Sequence, residues 1–247
     1  ADPTNPNRLY ASVASSAFGG VYVTDNLNAG AGSTWTRLAA PPRTQGHTFV
    51  ITVLKDGALV CSYSARRAGS PLAFTQSAGV FLSTDGGKTW LDRSDANLQY
   101  WAKDVVIDPH DATQNTWYAC AYSGYGADGS SSNKGGLYRT TDRGQNWTKI
   151  AAIDRVSSCT VNPLAPNEMY VTTESEGLWY TSNLTSPAPV FSEVTGYPFR
   201  QPERVFFNPY KLNEIWVTSF GNGIRIGTGT LPAAPAAPTL ASPANDS

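Results

Sequence analysis

The sequence predicts an all-β fold built from repeated units of about fifty residues. Three observations predict it. The first is a duplicated turn: FLSTDGGKTW (81–90) carries Ser83, Asp85, Gly87, Thr89 and Trp90, and YRTTDRGQNW (138–147) carries Thr140, Asp142, Gly144, Asn146 and Trp147 at identical spacing. The second is a series of Asp-Pro or Asn-Pro turns that run into an aromatic and a small or β-branched residue: DPTNPNRLYAS (2–12), DPHDATQNTWYAC (108–120), NPLAPNEMYVT (162–172) and NPYKLNEIWVT (208–218). The third is composition. There are 22 Gly and 17 Pro, and no long stretch carries apolar residues at helical spacing.

Taken along the chain, each unit divides into short β-type runs separated by turns. The clearest reads WAKDVVID, TWYACAY, GGLYRTT and NWTKIAA, four strands within 101–152. Four short strands per unit of this length predict a propeller blade, strands A to D running outward from a central axis. The expected blades are 1–39, 47–93, 101–152, 156–198 and 202–229. Two looser versions of the duplicated turn belong to the first and fourth: YVTDNLNAGAGSTW (22–35) has Asn26 in place of the Asp, and WYTSNLTSPAPVF (179–191) has Asn183 there and Phe191 for the Trp. The first unit opens on its A–B turn without a strand A, and the last supplies ERVFFNP, EIWVTSF and GIRIG without a strand D. That pattern predicts about five blades or partial blades of a larger propeller of about seven, completed by an upstream part of the same propeller. Residues 230–247, rich in Pro and Ala, read as an extended linker or tail that could join another module.

Charge and rare residues exclude several functions. A net charge of −1 gives no basis for nucleic acid as a partner, and no apolar run is long enough to span a bilayer as a helix. Cys61, Cys120 and Cys159 have no metal-type spacing and read as free core thiols. The two histidines, His47 and His110, would have to supply any His-based metal or catalytic site, and His110 sits in a turn beside Pro109. No metal or cofactor is expected. Sequons at Asn146, Asn183 and Asn245 matter only in a eukaryotic secretory setting.

The repeated turn resembles the Asp-box (BNR) motif, S-x-D-x-G-x-T-W, and the longer unit is similar to propellers of the sortilin type and of the family 74 glycoside hydrolases, which act on xyloglucan. The resemblance covers residues 2–229. It implies a scaffold role for the box: the Asp bonds turn amides, the Gly takes positive φ and the Trp packs between blades. Ser83, Asp85, Gly87, Thr89, Trp90, Thr140, Asp142, Gly144 and Trp147 are therefore expected to be structural. The Asp/Asn-Pro turns and the boxes share one face, so ligands belong on the other, where the B–C and D–A loops emerge.

Two B–C loops are long. SARRAGSPLAFTQSAG (64–79) offers Arg66, Arg67 and Phe74, and YSGYGADGSSSNKGG (122–136) offers Tyr122 and Tyr125. The D–A connections add Tyr100 and Trp101, then Tyr197, Phe199 and Arg200. Aromatic faces among guanidiniums and carboxylates suit a sugar. Glycoside hydrolysis needs two carboxyl groups. The family resemblance puts Glu174 and Glu176 at the comparable place, with Asp128 in the long loop of the preceding unit as the other candidate, whereas YASVASSAFGGVY in the first unit has no acid. The arginine triad of sialidases has no match. The expected function is a secreted or otherwise extracytoplasmic module that binds polysaccharide or a protein partner through the loop face; the alternative is a xyloglucanase-like endo-glucanase or a fragment of one.

Overall fold

A computed structural model describes residues 1–68, 73–99, 101–122, 134–211 and 213–228, with the short strands at 67–68 and 73–74 described by their backbone. Five antiparallel sheets follow one another along the chain. Sheet 1 contains β1 (Leu9–Val13), β2 (Gly20–Thr24) and β3 (Thr36–Arg37). Sheet 2 contains β4 (Thr48–Val53), β5 (Leu59–Tyr63), β8 (Gly79–Ser83) and β9 (Leu91–Asp92); β6 (Arg67–Ala68) and β7 (Ala73–Phe74) form a small ribbon in the connection between β5 and β8. Sheet 3 is β10 (Ala102–Ile107), β11 (Trp117–Ala121), β12 (Gly136–Thr140) and β13 (Thr148–Ala151). Sheet 4 is β14 (Val156–Val161), β15 (Met169–Thr173), β16 (Leu178–Thr181) and β17 (Ser192–Glu193), and sheet 5 is β18 (Pro202–Phe207), β19 (Glu214–Ser219) and β20 (Gly223–Thr228). The fold is an all-β propeller arrangement of blades and partial blades, and its helix among the described residues is limited to 3-10 turns at Leu27–Gly32 and Ala96–Gln99.

The sheets stack in chain order because successive sheets bury apolar side chains between them. Sheets 1 and 2 share Val21, Leu59, Cys61, Phe81 and Trp90. Sheets 2 and 3 share Val60, Leu82, Val105 and Trp117. Tyr118, Cys120, Cys159 and Val171 join sheets 3 and 4, and Leu178, Val205, Ile215 and Val217 join sheets 4 and 5. Among the described residues no apolar cluster joins sheet 5 back to sheet 1. All three cysteines are free and buried, and burial pushes the Cys61 and Cys120 thiols up.

The four repeated turns, one in each of sheets 1 to 4, have one geometry. In each, a hydroxyl (Thr24, Ser83, Thr140, Thr181) donates to the Asp or Asn Oδ1 two residues on, at 2.7–2.8 Å. The same oxygen accepts a later backbone N–H, from Thr34, Thr89, Asn146 or Val190, at 2.9–3.0 Å. The aromatic that closes the turn then reaches the preceding sheet. Trp90 Nε1 donates to the Ala39 carbonyl at 2.9 Å and Trp147 Nε1 to the Arg93 carbonyl at 2.6 Å, while Phe191 packs on the cluster that contains Ile150 and Ile153. Trp35 belongs to sheet 1, which has no preceding sheet among the described residues, and it is 42% exposed.

Innermost strands carry a second repeated device. β4, β10, β14 and β18 each slip register by one residue near their start, between Thr48 and Val50, Ala102 and Asp104, Val156 and Ser158, and Pro202 and Arg204. A bulge there redirects the skipped side chain. Three of the skipped residues, Lys103, Ser157 and Glu203, come together beside the loop face. Next to them, the buried Asp104 accepts from Ser158 Oγ and Arg204 Nη2, each at 2.7 Å, and so ties sheets 3, 4 and 5.

Candidate functional site

The face opposite the repeated turns is assembled from B–C and D–A segments that bond to one another. Tyr122 N–H donates to the Trp101 carbonyl, Glu174 N–H to that of Arg155, and Gly177 N–H to that of Arg200. This face divides the sequence-expected residues among three places. Arg66 lines a cleft of about 280 Å³ between sheets 1 and 2, with Arg37 and Tyr63. Trp101 and Tyr122 stack on each other near the inner ends of the sheets, with ring centroids 5.1 Å apart. Tyr197 and Arg200 lie at the outer part of sheet 4. Tyr100, Tyr125 and Asp128 fall outside the described residues, and so do the side chains of Arg67 and Phe74.

In the inner group the Tyr122 hydroxyl and the Lys103 ammonium are already paired. Tyr122 is only 3% exposed, so its ring is inside the face rather than on it. Its hydroxyl accepts from Lys103 Nζ at 2.8 Å and pairs with Ser157 Oγ at 3.1 Å. Lys103 also lies over the Tyr122 ring and 3.7 Å from Glu203. Burial opposes its charge, but the bond to Tyr122 and the nearby Glu203 and Glu174 carboxylates prevail and hold its pKa above the ordinary value. Glu174, expected as a catalytic candidate, pairs with Arg155 Nη1 at 2.9 Å. A group whose polar atoms already serve one another braces the sheets.

The outer group is open. Ser175, Glu176, Gly177 and Trp179 from one side, Glu193 from β17, and Tyr197, Pro198, Phe199 and Arg200 from the D–A connection line a cleft of about 490 Å³. Trp179 is set by its Nε1, which donates to the Glu176 carbonyl at 2.9 Å, and Arg200 by its Nε, which donates to the Ser175 carbonyl at 3.0 Å. Tyr197 and Phe199 meet edge to face at 5.8 Å, and Arg225 stacks on Phe199 at 4.9 Å. Burial raises the Glu176 carboxyl above its ordinary value; the Asp154 amide offsets part of this and the Asp154 carboxylate adds to it. The Tyr197 hydroxyl is buried and has no hydrogen-bond partner among the described residues. Sequence reasoning found Tyr197, Phe199, Arg200 and Glu176 but not Trp179 or Glu193, which read as ordinary strand residues until the sheet is formed. Among the described residues no cluster of His, Cys, Asp and Glu is suited to a metal ion.

No family model matches the chain. It is 29% identical over 166 residues to a "Probable oligoxyloglucan-reducing end-specific xyloglucanase" of Neosartorya fischeri, covering 60% of this chain and 17% of that protein. Among solved structures it resembles the extracellular domain of the hybrid two-component system BT3049 of B. thetaiotaomicron, with TM-score 0.62, 13% identity, and coverage of 92% of this chain and 26% of that one. It also resembles the GH74 xyloglucanase of Xanthomonas campestris, with TM-score 0.60, 17% identity, and coverage of 88% and 32%. YCF48 from Cyanidioschyzon merolae gives TM-score 0.51 and 16% identity over 83% of this chain and 62% of that one. The chain thus spans about a sixth of the curated relative and about a quarter to a third of the first two structures. At these identities the structural likenesses show a shared propeller fold. No helix among the described residues is long and apolar enough to cross a membrane.

Proposed function

We propose that this chain is an extracytoplasmic propeller module that binds polysaccharide in the outer cleft of sheet 4. The observation that carries this reading is the cleft's chemistry. Three aromatic side chains, Trp179, Tyr197 and Phe199, stand among Glu176, Glu193 and Arg200 in a volume of about 490 Å³. Sugar rings present C–H faces that stack on aromatics and hydroxyls that need directional donors and acceptors, and the cleft offers both. The xyloglucanases among the similar proteins support a β-glucan as first ligand to try. The extracellular domain among the structural neighbours supports the location. Affinity electrophoresis through gels containing xyloglucan or other β-glucans tests the reading. Retardation by at least one glucan is expected, and Phe199→Ala and Arg200→Ala should each abolish most of it with little change in melting temperature. Equal mobility of wild type and both variants on every glucan would exclude the cleft.

One observation favours a hydrolytic variant of this reading. A glycosidase needs a carboxyl group that stays protonated to act as acid, together with a second carboxylate. Glu176 has a raised pKa and shares its cleft with Glu193. Release of reducing ends from a glucan, lost in Glu176→Gln and in Glu193→Gln but retained in Glu174→Gln, would establish hydrolysis. Absence of release by a protein that still binds would leave the module as a binder.

A further inference from the structure

Gly20, Gly79 and Gly136 open β2, β8 and β12 at one register position, two residues before Tyr22, Phe81 and Tyr138. The residue that pairs with each of those aromatics differs: Arg37 in sheet 1, Asp92 in sheet 2 and Lys149 in sheet 3. In sheets 1 and 2 a guanidinium lies on the bare glycine, since a Cβ on Gly20 would fall 2.9 Å from Arg37 Nε and one on Gly79 2.7 Å from Arg43 Nη2. The two arginines then part company. Arg43 is neutralised where it sits, its Nε donating to Asp92 Oδ2 at 2.7 Å and its Nη2 to Ser94 Oγ at 2.9 Å. Arg37 occupies the position that Asp92 holds in sheet 2, so its own sheet offers no acid there. Its Nη2 donates to the Gly19 carbonyl, and among the described residues it has no carboxylate partner.

Arg37 shares the cleft of about 280 Å³ between sheets 1 and 2 with a second guanidinium, Arg66. Arg66 is pinned at the base of the β6–β7 ribbon: its N–H donates to Ser77 Oγ at 3.2 Å and to Thr75 Oγ1 at 3.3 Å, and its carbonyl accepts from Thr75 N–H at 2.8 Å. It too has no carboxylate partner among the described residues. Neighbouring polar groups are turned to donate. Ser15 Oγ accepts from the Ala17 and Phe18 amides at 3.2 and 3.1 Å, which leaves its hydroxyl hydrogen to give. Gln45 Oε1 accepts from Thr75 Oγ1 at 3.1 Å, which leaves its amide nitrogen. No Asp or Glu lines the cleft among the described residues. The chain as a whole carries a net charge of −1, so an anion would be drawn by these donors and not by a general positive field.

We propose that this cleft binds the carboxylate of a uronate, an acidic sugar residue within a polysaccharide. Two guanidiniums suit the two oxygens of a carboxylate through charge-assisted bonds, and Ser15 and Gln45 supply donors for ring hydroxyls. The wall favours a sugar over a peptide terminus. Its apolar part is Ala40 and Tyr63, and Tyr63 is only 1% exposed, so a peptide side chain finds no seat. The site differs in chemistry from the cleft of sheet 4, whose three aromatics and two carboxylates suit a neutral sugar, and it does not depend on that reading.

Affinity electrophoresis of the full chain through polygalacturonate, with the fully methyl-esterified polymer as its neutral counterpart, tests the site at an ionic strength of about 0.15 M, where non-specific attraction is screened. Retardation by the acid and not by the ester is expected. The Kd read from retardation against polymer concentration should rise roughly tenfold or more in Arg37→Gln and in Arg66→Gln. Arg66→Gln keeps the main-chain bonds to Thr75 and Ser77, so its melting temperature should be unchanged. Both variants should keep any retardation by xyloglucan, and Phe199→Ala should keep that by polygalacturonate, so the two sites fail separately. Equal mobility in acid and ester, or undiminished retardation of both arginine variants, overturns the site. Competition identifies the anion: trigalacturonate should displace the polymer at lower concentration than inorganic sulfate or a tripeptide with a free C-terminus. Sulfate acting as well would assign the cleft to a bare oxyanion, and the peptide acting better would assign it to a chain terminus; either result overturns the uronate.

Discussion

Gly87 and Gly144 show how one atom fixes the spacing of the sheets. Both sit at positive φ, 85° and 79°. A Cβ on Gly87 would fall 2.4 Å from Leu38 Cδ1, and one on Gly144 2.9 Å from Arg93 Cβ, so each turn lies directly on the preceding sheet. Gly144→Ala adds backbone strain to this crowding and should cost about 1–2 kcal/mol or more in urea unfolding. The carboxylates beside them respond to acid. Bonds from Thr89 and Ser83 pull Asp85 from 3.8 to about 2. At Asp142 burial opposes the charge, but bonds from Asn146 and Thr140 win and the value again falls to about 2. A carboxyl depressed in the folded state stabilises it fully above its unfolded value and ceases to do so as pH falls through the folded one. Thermal stability should therefore hold above pH 4 and decline between about pH 4 and 2. The decline should be shallower in an Asp85→Asn, Asp142→Asn double variant; an unchanged slope would mean that these turns do not govern acid unfolding.

At the level of the element, what could be read from sequence depended on whether the signal was local. The repeated turns are legible because hydroxyl, Asp, Gly and aromatic fall within eight residues of one another, and the strand units follow from their spacing. The loop-face candidates were only partly legible. Pattern alone suggested one surface, yet Arg66, Trp101 with Tyr122, and Tyr197 with Arg200 lie in three places. The bulges explain part of this. A slip of one residue reverses which side of a strand faces its neighbour, and nothing in AKDVVI or VSSCTV marks it. Lys103, Ser157 and Glu203 were accordingly passed over, although they fix Tyr122. Tyr122→Phe tests their importance: it strips Lys103 and the buried Ser157 of a shared partner and should cost about 1–3 kcal/mol. Lys103→Met should cost less when added to Tyr122→Phe than alone, and additive losses would show that the two do not act together.

In the molecule as a whole, apolar stability is set seam by seam, since each apolar cluster among the described residues joins two successive sheets, while polar contacts of Asp104 with Arg204 and Lys103 with Glu203 reach from sheet 3 to sheet 5 at the inner strands. A row of such units gains from every interface it shares, and its end units share one. The seams are unequal. Twelve buried residues form the cluster centred on Trp117 between sheets 2 and 3, against four between sheets 4 and 5. Among the described residues nothing covers the outer face of sheet 5: Phe206, Trp216 and Ile226 lie in one cross-strand row and are 46%, 39% and 65% exposed. The seam with fewest buried residues should open first. Amide exchange should therefore be fastest in β18–β20 and slowest in β5 and β11, and Trp117→Ala should destabilise sheets 2 and 3 by about 3–5 kcal/mol while scarcely changing exchange in sheet 5.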